Sequence, residues 1–354
     1  MQKYFLGANT GGGFYSLFDE LYSLGDGMRL FVIKGGPGTG KSGIMKRVAE
    51  QSDKNGYSTQ RIFCSSDPQS LDAVIIPELK IAVADGTPPH TIEPKYPGAV
   101  EQTVNLGDCW DVEKLRSKMS EIKETSFECS AYHTRCIRFL KGFSALLNDS
   151  KRLILPCVDK EKLTVFAERL ALRELKDKTE GRGEASVRFL SAVTPEGITF
   201  FEETLSDFDR IIEIDDPDGV VSDILLHYLA GISVKNGINI IVCPCITDPK
   251  RKLDHLLIPE KGLAFTVSNG AHSLSEKAEK TVSVKRFLDA QQLKAHSARL
   301  SFNRRAAAEL LDEAALSLAN AKAIHDELEE YYISAMDFDK VNQKAEKLIN
   351  DIFK

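Results

Sequence analysis

The segment KGGPGTGKSG, Lys34–Gly43, decides how this chain is read. Gly35-x-x-x-x-Gly40-Lys41-Ser42 satisfies the G-x-x-x-x-G-K-S/T spacing of a phosphate-binding loop. The residue types suit that chemistry. Gly35, Gly36, Gly38 and Gly40 tolerate backbone angles that other residues resist, so successive N–H groups can turn inward around an anion. Pro37, Thr39 and Gly43 complete the expected cradle. A helix starting near Lys41 adds the positive end of its dipole. Lys41 supplies a point charge for β- and γ-phosphates, and the Ser42 hydroxyl is a ligand for Mg²⁺. The apolar run MRLFVIK precedes the loop and an amphipathic stretch, Ser42–Asp53, follows it, the strand and helix that such a loop joins. The pattern predicts a site for ATP or ADP with Mg²⁺.

A magnesium-bound nucleotide also needs an acidic residue, usually at the end of an apolar strand. Asp85 ends KIAVAD and Asp67 follows QRIFCSS. An internal repeat helps to choose between them. Arg29–Pro68 faces Arg210–Pro249 without a gap, with eleven identities in 40 positions, and Ser70–His90 faces Lys252–His272 with seven in 21. Asp67 has a counterpart in Asp248, whereas Asp85 faces Val267. Asp67 also sits in an Ser-Asp-Pro turn, where aspartate bonds nearby backbone. Asp85 is therefore the favoured metal partner, with Lys41 and Asp85 as the catalytic pair, and Asp67 is kept as a supporting group or general base. Glu78 and His90 recur as Glu260 and His272, which favours structural roles for them. Gly11–Gly13 is read as a flexible turn.

The repeat extends upstream, where YFLGANTGGGFYSLF faces RFLSAVTPEGITFFE, and into two C-terminal helical stretches. The chain is thus a tandem duplication with halves at about 1–178 and 185–354, joined by the charged linker Lys176–Ser186. Strands alternating with helices predict an α/β fold with a parallel sheet in each half. After about residue 110, long stretches with few breakers predict a helical hairpin appended to each core. At the place of the loop, the second half reads DDPDGVVSDI. Gly35 becomes Asp216, Gly40 becomes Val221, Lys41 becomes Ser222 and Ser42 becomes Asp223. Asp215, Asp216, Asp218 and Asp223 oppose a triphosphate by charge, each close pair by about 4 kcal/mol before screening. Val220 and Val221 resist the glycine angles. The second half is expected to be a copy incompetent for nucleotide, its aspartates forming a solvated acidic loop.

Bulk composition agrees with a globular chain: 354 residues, 42% apolar, 28% charged and a net charge of −6. The acidic balance disfavours nucleic acid as a partner. No apolar run reaches the 18 or so residues of a membrane helix, and the N-terminus lacks a signal-peptide core. Seven scattered cysteines fit a reducing compartment, so the expected location is the cytoplasm. Cys243-Pro-Cys245 reads as part of a buried strand.

The segments GGPGTGKSGIMKRVAE, CSSDPQSLDAVIIPELKIAVADGTPPH, PKYPGAV and AIHDELEEYYISAMDFDKV resemble an uncharacterised bacterial family of tandem P-loop proteins, generally described only as ATP-binding proteins or ATPases. The resemblance covers nearly the whole chain and implies two tandem P-loop NTPase-like domains. Members of that family commonly carry an intact loop in both halves, and the second half here departs from it. The expected activity is Mg²⁺-dependent ATP hydrolysis at the first loop, with the helical hairpins open to a protein partner or a homodimer. The alternatives are a small-molecule or nucleotide kinase, with Asp67 or Asp72 as base and Arg61, Arg135 or Arg138 steadying charge, and a non-catalytic nucleotide switch.

Overall fold

A computed structural model of the chain describes residues 1–177, 181–275 and 278–354. The strand that leads into the glycine loop is β4 (Arg29–Lys34), and the helix after the loop is α1 (Lys41–Lys54). Around them lie β1 (Gln2–Tyr4), the hairpin β2 (Gly7–Thr10) and β3 (Gly13–Ser16), then β5 (Gln60–Phe63), β6 (Leu71–Ile76), β7 (Ile81–Asp85) and β8 (Glu101–Asn105). They form a six-stranded sheet in the order β1-β5-β6-β7-β4-β8.

The second half repeats this order. It contributes β9 (Ala185–Val187), the hairpin β10 (Ser191–Thr194) and β11 (Gly197–Phe200), and β12 (Arg210–Asp215). Helix α5 (Val221–Lys235) follows, then β13 (Ile240–Pro244), β14 (Leu253–Ile258), β15 (Leu263–Ser268) and β16 (Lys280–Ser283). Its sheet runs β9-β13-β14-β15-β12-β16. Lys178, the expected end of the first half, and Thr179 and Glu180 of the expected linker lie outside the described residues.

The sheets are mixed rather than parallel. β4 pairs in parallel with β7 and β8, but β6 runs antiparallel to both β5 and β7. β14 does the same between β13 and β15. The strand-helix alternation that predicts a parallel sheet has no place for LDAVII, β6, which joins β5 to β7 with no α-helix on either side. A tight turn, Pro77–Leu79, then brings the chain straight back into β7.

Continuous apolar runs form these strands because both sheet faces are covered. Leu30 and Val32 of β4, with Ala82 and Ala84 of β7, join Leu190, Ile241, Leu257 and Ala264 in a core shared by the two sheets. Phe31, Ile33 and Val83 face the other way, against Ile44, Met45 and Val48 of α1.

The helical part differs from the expected hairpins. After β8 come α2 (Val112–Ser117), α3 (Met119–Ile154) and α4 (Lys160–Glu174). The second half ends with α6 (Ala290–Ala295), α7 (Ser297–Ile333) and α8 (Phe338–Ile352). α3 and α7 are single helices of 36 and 37 residues, paired antiparallel with each other. Cys129 meets Ala321 near one end and Asp149 meets Asn303 near the other. At 1.5 Å per residue α3 is about 54 Å long, so it delivers α4 to the far core. Leu163, Ala167 and Leu170 of α4 pack on Ile212, Ile214 and Leu225 of the second half. α7 returns in kind, and Val341, Ala345, Leu348 and Ile352 of α8 pack on the α1 side of the first sheet. Each half is therefore finished by the other half's last helix. Paired bridges mark the crossings, Trp110 with Met336 and Val158 with Leu288.

Candidate functional site

The loop between β4 and α1 is shaped by its glycines. Gly38 (φ 63°) and Gly40 (φ 87°) occupy the left-handed region, where a side chain is strained. Gly36 is required by crowding, since a Cβ there would lie 2.8 Å from the Tyr332 ring. That ring belongs to α7, whose last turns lie over the loop. Thr39 is buried and donates its hydroxyl to the Gly36 carbonyl at 2.8 Å. The Lys41 ammonium donates to the carbonyls of Gly36 (2.6 Å) and Gly35 (3.3 Å) and lies 3.6 Å from Asp85 Oδ2. The Ser42 hydroxyl oxygen accepts from the Leu71 amide at 3.0 Å, leaving its own proton and a second lone pair for another partner.

Asp85 ends β7, which pairs directly with β4, so strand register places it beside the loop. Thr87 donates to its Oδ1 through both amide and hydroxyl. Burial pushes the Asp85 carboxyl above the ordinary aspartate range, and Lys41 and the Thr87 donors offset this only partly. Asp67 turns inward on its own loop, accepting from the Gln69 amide and the Ser70 hydroxyl, and faces Lys322 of α7 at 3.8 Å.

These groups line a cavity of about 1130 Å³, ample for a nucleotide against the usual range of roughly 300–1000 Å³. The described lining includes the whole loop Gly35–Gly43 together with Asp67, Asp72, Asp85 and His90. The far wall comes from the helices: His133 of the first half's α3, and Lys322, His325 and Glu329 of α7 with Phe338 of α8 from the second half. Burial, with a smaller contribution from neighbouring His325, holds His133 below the ordinary histidine range. The Glu329 carboxylate accepts from the Gly38 amide at 3.1 Å, so an anionic group of the second half already rests on the loop.

Several sequence expectations fall elsewhere. Arg61 is bound to Asp53, and Arg135 and Arg138 lie at a separate groove on α3, so none of the three lines the cavity. The cation that sequence reasoning missed is Lys322, some 280 residues from the loop in the chain, with no local signal to connect it. Glu78 accepts from the Ser58 amide, and Glu260 does the same for Asn239. All seven cysteines are free thiols; Cys243 ends up in the core between the sheets.

The corresponding place in the second half is filled by its own side chains, and the expected solvated acidic loop is not what forms. Gly219 keeps the angle of Gly38 (φ 64°), but α5 starts at Val221, where the first half has Gly40. The Asp216 carboxylate folds back and accepts from the amides of Val221 and Ser222, both at 2.8 Å. Asp216 and Asp223 are buried. Asp218 is gripped by Arg304 of α7 through two N–H groups, and Asp223 is held by Lys151 of α3 and by His227. The long helices α3 and α7 thus supply cations to two of these carboxylates, Asp223 and Asp218, while Asp216 is satisfied by the amides of its own loop.

No protein-family model, no curated protein and no solved structure matches the chain. Among the described residues, no helix is long and apolar enough to cross a membrane.

Proposed function

We propose that the first half binds ATP with Mg²⁺ and hydrolyses it, and that the second half is a nucleotide-incompetent copy that completes the site and receives its signal. The observation that carries this reading is the convergence of the Gly35–Ser42 loop, the Lys41 ammonium and the Asp85 carboxylate, 3.6 Å apart, on one large cavity. Inward amides and a helix N-terminus favour an anion there. The donor set fits magnesium, since the Ser42 hydroxyl and the Asp85 carboxylate are hard oxygen ligands of the kind this ion takes. Magnesium supplies charge neutralisation on the phosphate oxygens when bound.

The chain's own residues do the rest. Lys41 releases the Gly35 and Gly36 carbonyls to pair with phosphate. Glu329 leaves the Gly38 amide as phosphate takes its place. Because Glu329 sits in the last turns of α7, this exchange reaches a helix whose other end touches the second half. Asp216 makes the second half the fixed side of the arrangement, with its loop amides already satisfied. Asp67 and Lys322 stand across the cavity, where they can orient an attacking water.

A second reading is a kinase for a small acceptor, favoured by a cavity larger than ATP requires. Titration with ATP and Mg²⁺ should give one site per chain and slow phosphate release without any acceptor, and Lys41→Ala should lose both. Release that depends on an added metabolite selects the kinase. Failure of the intact chain to bind ATP overturns both readings.

A further inference from the structure

Three side chains on the cavity wall have no part in the scheme above. Cys64 follows β5, Asp72 lies in β6 and His90 lies beyond β7. One ligand atom from each falls within 4.8 Å of the others, and His90 Nε2 is 3.3 Å from Asp72 Oδ1. Phe14 and Phe18 hold the imidazole in place. Asp72 is 4% and His90 6% exposed, yet Asp72 Oδ2 and His90 Nδ1 are buried with no hydrogen-bond partner. A buried polar group left in that state is destabilising, because its lost hydration is not replaced.

The duplication supplies a comparison inside the same chain. Cys245, Asp254 and His272 stand where the repeat places the counterparts of Cys64, Asp72 and His90. There, Lys252 extends its ammonium to 3.4 Å from Asp254 Oδ1, and its charge also faces Cys245 and Asp216. The second cluster thus carries a cation of its own. In the first cluster the position of Lys252 is Ser70, a neutral side chain whose hydroxyl is turned to Asp67.

We propose that Cys64, Asp72 and His90 bind a divalent cation of the zinc class, in the place that the Lys252 ammonium takes in the second half. Thiolate, imidazole and carboxylate together select zinc-like ions over magnesium or calcium, which prefer oxygen alone. The 3.3 Å pair already matches neighbouring ligands of a tetrahedral ion with bonds of about 2.0–2.3 Å, and side-chain shifts of about 1 Å bring in the third. All three ligands line the cavity, so a fourth position opens onto it, as in zinc sites that act on a substrate rather than merely hold a fold. Binding displaces the Cys64 thiol proton to solvent, and the His90 imidazole binds through a ring-nitrogen lone pair. This site needs neither Lys41 nor a nucleotide, and so stands apart from the reading above.

The test uses the full chain, stripped with chelator under reducing conditions and titrated with Zn²⁺ alone against a chromophoric competitor. Co²⁺ is added in parallel to report thiolate-to-cobalt absorption. One tight equivalent and a thiolate band are expected. Cys64→Ser and His90→Ala should each weaken binding by about 100-fold, the upper end of what even outer-shell changes produce. Ser70→Lys, which copies the second half, should abolish binding, and Lys41→Ala should leave it intact. Thermal unfolding without metal checks that each variant is folded. Absence of the wild-type equivalent or of the cobalt band overturns the proposal. So does an equivalent that survives both ligand substitutions, which would belong to His325, Asp326 and Glu329 on α7.

Discussion

Residues 1–177 expressed alone should fail to form a stable fold, even though they contain a complete sheet and the intact loop. The missing piece is α8, which inserts Val341, Leu348 and Ile352 into the first core at 5%, 3% and 6% exposure. At about 1.5–3 kcal/mol for each buried side chain, their loss removes roughly 5–9 kcal/mol. A domain's whole stability is about 5–15 kcal/mol. The fragment also carries α4, whose apolar stripe has no core of its own half to meet. Within the intact chain, Leu348→Ala should lower stability by about 2–4 kcal/mol. The single tryptophan, Trp110, bridges Met336 and lies 6.0 Å from the Tyr332 ring, so its fluorescence reports on this junction. Urea unfolding followed by Trp110 should show an earlier midpoint for Leu348→Ala. Mixing fragments 1–177 and 181–354 should restore the wild-type transition and the cavity. A cooperative, monomeric unfolding transition from 1–177 alone, or a silent Leu348→Ala, would refute the exchange of helices.

Three further outcomes are expected. Glu329→Gln removes a carboxylate that competes for the Gly38 amide; a full repulsion of about 4 kcal/mol at 4 Å, discounted to about 1 kcal/mol because the side chain is 35% exposed, should tighten ATP roughly 5-fold by calorimetry, and weaker binding would contradict it. Asp216→Ala leaves two buried amides bare and should lower unfolding free energy by about 2–4 kcal/mol, while ATP affinity and the stoichiometry of one stay unchanged, because Ser222 stands where Lys41 would; a large loss of affinity would sink the idea of an incompetent copy. Burial pushes the Asp254 carboxyl up, but Lys252 outweighs it and holds the group at about 2. The folded state therefore refuses a proton that the unfolded chain accepts near pH 4. The stability gap between wild type and Asp254→Asn should be full above that pH and close as pH falls towards 2, measured by denaturant unfolding across the window.

Much of this molecule is legible in one dimension. The spacing Gly35 to Ser42 with its flanking strand and helix locates the loop, because backbone freedom at glycine and a charge at lysine are local properties. The repeat is legible too, since both copies keep Asn-Gly and Asp-Pro turns at matching distances, and the structure answers it with one strand order in both sheets. The direction of β6 is not local. LDAVII reads as a buried strand in either orientation, and only its pairing with β5 and β7 chooses one. The partners of Asp218 and Asp223 were hidden for the same reason: acidic residues clustered in one short loop look solvated until Arg304 and Lys151 arrive from helices far along the chain.

By itself, then, the amino-acid order determined where the glycine loop between strand and helix falls and that the chain is written twice. Tertiary structure decided who completes each copy. The stripes of α4 and α8 suit either core, so amphipathicity could not assign them; a rigid rod of some 36 residues could, because its length carries each terminal helix past its own sheet to the other. That same span lays Lys322, His325 and Glu329 against the first loop, making one site from two halves.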